Sequence, residues 1–330
     1  VASPEPLLTV AIPTCNGETH LAETLDSVLG QQGAAFELIV SDDHSEDGTL
    51  DQVRQRAGPR ARMVANDRRL GLAGNWNQCV ALCNTPLIAI IHQDDVLAPG
   101  HLAGHMETFL RDERIGLVAS ASMVIDEQGR DVPQFIVDPG GLGPKDRVFE
   151  PGTLFEAFAA GNPLRCSAVS IRVDAYRDVL GFDPSFRYVL DWDFWIRVSR
   201  RWRVAWLAEP TVQVRWHLAS ATHRFKAGRD DLDETRRLLD HLFGEATADQ
   251  SQVKRLRKQS MRRLARAFLN RAHDAMHAGR IELARDCFVE ALALSPRAGM
   301  TILADPRLGA QLVALGLPRS LARWMFARPK

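Results

Sequence analysis

The chain has 330 residues, is 45% hydrophobic and 25% charged, and its 41 basic and 41 acidic side chains cancel to a formal net charge of zero. That length holds one large domain with an appendage, or two domains; the charge balance excludes a global field drawing the chain to nucleic acid or membrane, so any basic surface is local. The longest apolar runs fall far short of the ~20 residues of a bilayer span, no signal-peptide pattern opens the sequence, and the scattered Cys15, Cys79, Cys83, Cys166 and Cys287 read as reduced thiols of a cytosolic protein.

Residues 8–12 (LTVAI) have the composition of a strand, and Leu21, Leu25, Val28 and Leu29 then recur at helical spacing. Residues 36–40 (FELIV) predict a second strand, 62–65 a third and 87–91 a fourth, with Trp76, Val80 and Cys83 marking one face of the helix between the last two. This alternation implies a parallel sheet covered on both faces. Around 132–151 the pattern breaks in a loop rich in glycine and proline. A helix near 154–160, a strand near 168–173, a helix carrying "DWDFWIRVSRRW" and the apolar stretches "VAWLA" and "VQVRWH" follow. The α/β domain is placed at 1–226 and an all-α extension at 227–330.

Within the extension, residues 254–271 carry Lys254, Arg255, Arg257, Lys258, Arg262, Arg263, Arg266 and Arg271 and no acidic residue. Two readings stand, a solvated helix face and an interaction surface. "AGRIELARDCFVEALALSP" sets Gly279, Ala284, Phe288, Ala291 and Pro296 at the spacings of a tetratricopeptide repeat. One copy cannot build a solenoid, so a single helical hairpin is expected. The ending "RSLARWMFARPK", residues 319–330, mixes Arg with Trp324, Met325 and Phe326. Together with 254–271 it could rest on an anionic membrane, or it could pack onto the main domain.

Two adjacent carboxylates, Asp94 and Asp95, follow the buried run 87–91. Such a pair alone reads as a turn or a helix start. In an open α/β sheet, however, the ligand crevice lies beyond the carboxyl ends of the strands. Three strand ends bring Thr14, Asn16, Glu18, Asp42, Asp43, Asp94 and Asp95 to that rim.

The stretches "TVAIPTCNGETHLAETLDSVLGQ", "ELIVSDDHSEDGT", "LGLAGNWNQCV", "IAIIHQDD", "LDWDFWIRV" and "VRWHLASAT" occur in this order over roughly residues 7–223. Together they resemble the successive motifs of family 2 glycosyltransferases, inverting enzymes of GT-A fold. The resemblance implies an α/β GT-A domain with a Rossmann-like mixed sheet, and transfer of a sugar from a UDP- or dTDP-sugar to an acceptor hydroxyl. The acceptor would be a glycan, a lipid-linked glycan or a small molecule, and surface polysaccharide or glycoconjugate assembly is the setting it suggests.

Such a donor carries a diphosphate whose charge grows as the sugar leaves, and Mn²⁺ or Mg²⁺ stabilises it. The resemblance assigns the Asp94–Asp95 pair to the ion and to the ribose and diphosphate, Asp95 with His217 entered for the ion and Asp94 for the donor, and leaves open which of the two carboxylates touches the ion directly; Arg215 is offered to phosphate oxygens. It places Pro13, Thr14, Glu18 and Asp43 in the donor-binding set, Asp43 accepting from the imide N–H of uracil or thymine. Asn75, with Trp76, takes over part of the nucleotide affinity. Asp191 is the expected general base. Asp193 is either an alternative base or a charge at a helix N-terminus, and Trp192 and Trp195 either pack in the core or stack on sugar. The chain departs from the family pattern at His92, Leu190, Cys15 and Trp76, where relatives carry an acid, Glu, an aromatic and Arg.

Two enzyme rivals fail at the first turn. "PTCNGETH" holds the lone Gly17, whereas a Rossmann dehydrogenase needs Gly-x-Gly-x-x-Gly. A nucleotidyltransferase would place a basic, glycine-rich loop there. The rival of another class is a non-catalytic GT-A-like scaffold acting through its helical tail.

Overall fold

The computed structural model describes residues 5–132, 142–246 and 249–295. The chain separates into two compact units, Val1–Ser220 and Ala221–Lys330. The first unit opens with β1 (Leu8–Thr14), α1 (Leu21–Leu29), β2 (Phe36–Asp42), α2 (Thr49–Arg56), β3 (Ala61–Ala65), α3 (Gly71–Ala81) and β4 (Leu87–Ile90). It continues through β5 (Val96–Leu97), α4 (His101–Arg111), β6 (Ile115–Ile125), β7 (Arg147–Phe149), α5 (Phe155–Ala160), β8 (Val169–Arg172), α6 (Val173–Asp178), α7 (Leu190–Ser199) and β9 (Arg203–Arg215).

Strands β3, β2, β1 and β4 lie side by side in parallel, as alternating strand and helix implies. Every residue of β1 and of β4 is buried, because helices cover both faces. That is why both read as continuous apolar runs. One face packs Val10, Ile12, Leu38, Val40 and Ala89 against Leu21, Leu25 and Val28 of α1 and Val53 of α2. Each large aliphatic side chain taken from water there contributes about 1.5–3 kcal/mol.

Beyond β4 the sheet becomes mixed. β8 runs antiparallel to both β4 and β6, β6 runs parallel to β9, and β5 and β7 pair antiparallel with β9. The order among the described residues is β3-β2-β1-β4-β8-β6-β9-β5, with β7 on β9. The runs "VAWLA" and "VQVRWH" form one strand, β9, whose register against β6 shifts around Ala121, opposite Pro210. A proline lacks the ladder N–H, so a bulge there relieves it. β7 lies inside the segment that reads as loop in the sequence.

The second unit holds α8 (Ala221–Lys226), α9 (Asp230–Gly244), α10 (Gln250–His277) and α11 (Ile281–Leu294). The Asp249 carboxylate caps α10 by accepting from Gln252 N at 2.9 Å. Gly279, at φ +72°, supplies the left-handed turn between α10 and α11. Ala284, Phe288 and Ala291 are buried within this hairpin. Arg271 clamps the buried Asp231 with two hydrogen bonds, 3.0 and 2.8 Å. Pro296 and residues 319–330 lie outside the described residues. No described helix is long and apolar enough to cross a membrane.

Candidate active site

The loops after β1 and β2 brace one another. Thr14 Oγ1 donates to Asp42 Oδ1 at 2.7 Å, and Asp42 also accepts from Ser45 N at 2.8 Å and Ser45 Oγ at 2.6 Å. The Asp43 carboxylate accepts from Leu70 N at 2.6 Å and Gly71 N at 2.9 Å, satisfying N–H groups that the start of α3 leaves open. Glu18 accepts from Gly48 N at 3.0 Å, and Pro13 is buried within β1, opposite Ser41. Thr14, Glu18 and Asp43, three of the expected donor-binding residues, thus tie these loops to each other and to α3.

Asn75 is different. Its amide donates to Ser41 O at 2.9 Å and its oxygen accepts from Ser41 Oγ at 2.7 Å and Asn66 Nδ2 at 3.2 Å. With only 4% of its surface exposed, it is a tie between α3 and β2 and has no capacity left for a nucleotide. Trp76 is likewise a core side chain, packed against Phe182 with ring centroids 5.2 Å apart. Both corrections have one cause: α3 turns this face onto the sheet.

The second half of the sheet supports the loop after β4. Gln93 locks the adjacent loop by accepting from Cys15 N at 2.8 Å and donating to Cys15 O at 3.3 Å. Ser167, in the turn that β8 lays beside β4, accepts from His92 N at 2.9 Å and donates to Asp95 Oδ2 at 2.5 Å. Arg215 N, at the end of β9, donates to Asp95 Oδ1 at 2.9 Å. Asp94 instead meets His217, Oδ2 to Nε2 at 2.9 Å, and the His217 ring rests edge-on against His20. Ligand atoms of His92, Asp94 and Asp95 lie within 4.8 Å of one another.

The two carboxylates differ in their surroundings. The loop makes a tight turn here, Asp95 N donating to His92 O at 3.3 Å; Asp95 is buried with both oxygens hydrogen-bonded, while Asp94 holds the histidine. Burial, and then the neighbouring Asp94 charge, push Asp95 up to about 7. Burial acts on Asp94 in the same direction, but the His217 hydrogen bond and the fields of His92 and His217 hold it below the usual carboxylate value.

Arg215 is not available to phosphate. Its buried guanidinium donates to Asp94 O at 3.0 Å, to Asp126 O and Glu127 O at 3.3 Å each, and to Glu23 Oε2 at 2.5 Å. It holds the backbone of the acidic loop in place.

Asp191 opens α7, half-buried. Its Oδ1 accepts from Trp192 N at 2.7 Å and its Oδ2 from Asn162 Nδ2 at 3.0 Å. Burial raises its pKa, against the pull of those donors and of the Arg165 and His92 charges. The Asp191 field also reaches His92, so the start of α7 lies within electrostatic range of the loop after β4. Asp193 pairs with Arg197 through Nε at 2.8 Å and Nη2 at 2.7 Å, and Arg197 also holds Gly181 O at 2.8 Å. Asp193 is therefore a structural ion pair, and Trp192 and Trp195 are buried core. Sequence reasoning does not single out Ser167, Asn162 or Gln93. Their roles depend on the β4–β8 pairing and on loop contacts between residues far apart in the chain, and no local signal marks them.

The donor set suits a divalent ion: carboxylate oxygen and imidazole nitrogen converge, and His92 Nε2 is buried without a hydrogen-bond partner.

Residues 9–170 match the model of the glycosyl transferase family 2. An uncharacterized protein of Mycobacterium tuberculosis is 28% identical over 244 residues, which cover 72% of this chain and 76% of that one. The UDP-Glc:alpha-D-GlcNAc-diphosphoundecaprenol beta-1,3-glucosyltransferase WfgD of Escherichia coli is 28% identical over 106 residues, 32% of this chain and 42% of the relative. Among solved structures, the mannosyltransferase PcManGT from Pyrobaculum calidifontis, in complex with GDP-Man and Mn²⁺, has a TM-score of 0.57 at 17% identity, covering 97% of this chain and 83% of that chain.

Proposed function

Since the chain belongs to glycosyl transferase family 2 and is a glycosyltransferase of GT-A fold followed by helices, we propose that it moves a sugar from a uridine or thymidine diphosphate donor to an acceptor hydroxyl, with inversion and with a divalent ion. The observation that carries this reading is the Asp94–His217 pair in the loop after β4, with Asp191 within electrostatic range of the neighbouring His92.

Asp191 takes the proton of the acceptor hydroxyl as that oxygen attacks the anomeric carbon opposite the departing diphosphate. Its raised pKa makes it a stronger base than an exposed aspartate. Asn162 aims its carboxylate. Asp94 and His217 would hold Mn²⁺ or Mg²⁺, with Asp95, Ser167 and the Arg215 guanidinium setting the loop behind them. When bound, the ion neutralises charge growing on the leaving diphosphate.

The family resemblance and the UDP-Glc in the name of WfgD support a uridine or thymidine donor. The GDP-Man bound by PcManGT makes guanosine the natural comparison. WfgD also supports a glycan or lipid-linked acceptor and a place in polysaccharide or glycoconjugate assembly. For such an acceptor, the basic residues 254–271 of α10 offer a contact with an anionic membrane.

Asp191→Asn is the test of mechanism. Release of nucleoside diphosphate in the presence of acceptor should fall roughly 10²–10⁴-fold, while the donor still raises the melting temperature. An Asp191→Asn protein that transfers sugar at the parent rate would contradict the assignment.

A further inference from the structure

Residues 162–167 lead from α5 to the turn before β8, and they run between the two ends of the site. At one end Asn162 Nδ2 donates to Asp191 Oδ2 at 3.0 Å; at the other Ser167 Oγ donates to Asp95 Oδ2 at 2.5 Å and accepts from His92 N at 2.9 Å. Cys166 Sγ donates to Ile90 O, at the end of β4, at 3.9 Å, and burial followed by the Asp191 and Asp95 charges holds its thiol well above the ordinary value. Arg165 lies between these anchors. Its backbone is extended, at φ −110° and ψ 135°, its carbonyl accepts from Ala168 N at 2.9 Å, and the residue is half-buried. No described residue gives its guanidinium a hydrogen bond or an ion pair.

We infer that Arg165 is a specificity residue for the acceptor: it binds a phosphate or carboxylate beside the hydroxyl that receives the sugar, so the acceptor is an anionic glycan rather than a neutral one. This rests on the reading of Asp191 as the base. A guanidinium presents its donors as a planar fork that fits the two oxygens of either anion. In the same unit Arg197, Arg203 and Arg215 each spend that fork on a carboxylate, Asp193, Asp112 and Glu23 respectively. Asp191 does not do this for Arg165, because its oxygens are taken by Trp192 N at 2.7 Å and by Asn162.

Position separates the acceptor from the donor as the source of the anion. Arg165 is the strongest charge acting on Asp191, whereas those acting on Asp94 are His92 and His217, and those acting on Asp95 are Asp94 and Arg215. The guanidinium thus belongs to the base, where the acceptor hydroxyl must stand, and not to the acidic loop. Its charge also pulls the pKa of Asp191 down, which opposes the work of a base. An acceptor anion seated on Arg165 cancels that pull as the acceptor arrives.

The experiment is a binding titration on the full chain, with the donor site filled by uridine or thymidine diphosphate and Mn²⁺ at saturation. The probes are methyl glucoside, methyl glucuronide and phosphorylated methyl glucoside, which share one ring and differ in carrying no charge, a carboxylate or a phosphate. Binding is followed by ligand-observed NMR in the parent, Arg165→Gln and Arg165→Lys proteins. At least one charged probe should bind the parent roughly 10-fold more tightly than the neutral one; which one it is tells carboxylate from phosphate. Arg165→Gln should abolish the preference, Arg165→Lys should keep part of it, and the rise in melting temperature with nucleotide and Mn²⁺ should be the same in all three proteins. Charged probes that bind the parent no more tightly than methyl glucoside, or a preference that survives Arg165→Gln, would overturn the inference and leave the donor site standing. An Arg165→Gln protein that melts at the parent temperature without ligand but has lost its response to nucleotide would assign the guanidinium to the diphosphate and overturn the inference too. If neither nucleotide raises the melting temperature of the parent, the donor reading fails and this inference with it.

Discussion

Asp191 is tuned by two opposing effects: burial raises its pKa, and the Asn162 amide, 3.0 Å from Oδ2, favours the ionised form. A base works only when ionised, so kcat/KM should fall as pH drops through this raised value, above the ordinary 3.8. Removing the Asn162 donor raises the pKa further. Asn162→Ala should therefore shift the acid limb of the pH profile to higher pH and leave the alkaline side in place. An acid limb that stays put would mean that another group accepts the proton. At this scale the family resemblance is what draws attention to Asp94, His217 and Asp191, and the composition around them does not mark them by itself. The division of labour between Asp94 and Asp95 is not legible. It turns on the tight turn at Gln93 and Asp94, and on Ser167 and Arg215 arriving from elements far along the chain.

Helix α4 carries a second pair of titratable groups, away from the acidic loop. His101 and His105 are buried with ring centroids 4.1 Å apart, Nδ1 of each hydrogen-bonded at 2.8 Å, to Thr211 Oγ1 and Ser170 Oγ respectively. Burial lowers His101 to about 4, and burial with the nearby His101 holds His105 well below its ordinary value. Both are neutral in the fold. Their contribution is complete above the unfolded value of 6.5 and is lost as pH falls through the folded value of about 4. For His101 alone this is on the order of 3 kcal/mol. Urea midpoints should accordingly drop between pH 7.5 and pH 5, and the drop should shrink when both histidines are replaced by glutamine. An equal drop in that variant would place the acid sensitivity elsewhere.

The elements also show why legibility is uneven. The alternation leading to β4 predicts parallel strands, while the crossover that carries β4 past β2 to pair with β1 is not marked in it. β6 is missing from the sequence reading although it is eleven residues long and central. Its sequence, IGLVASASMVI, is diluted by Gly, Ala and Ser, and its neighbours β8 and β9 lie far along the chain.

At the scale of the whole chain, the neutral balance conceals a local asymmetry. On α10, Lys254, Lys258 and Arg266 are exposed, and no acidic residue interrupts the stretch from 254 to 271. Each basic side chain near an anionic surface contributes about 1 kcal/mol, screened beyond a Debye length. The chain should co-sediment with phosphatidylserine vesicles at low salt, release at high salt, and bind more weakly once Lys254, Lys258 and Arg266 are changed to Gln. No binding at low salt would remove the membrane contact from the account. The central claim is a nucleotide-sugar site that works through an ion at Asp94, and it is tested most directly by ligand-induced stabilisation. The melting temperature is measured with uridine, thymidine, guanosine and cytidine diphosphates, each with and without Mn²⁺, on the parent and on Asp94→Ala. A rise of about 5 °C or more at 100-fold excess over Kd, given by the uridine or thymidine compound and requiring both Mn²⁺ and Asp94, is the predicted result. No rise with any nucleotide, or a rise that needs neither the ion nor Asp94, would contradict it.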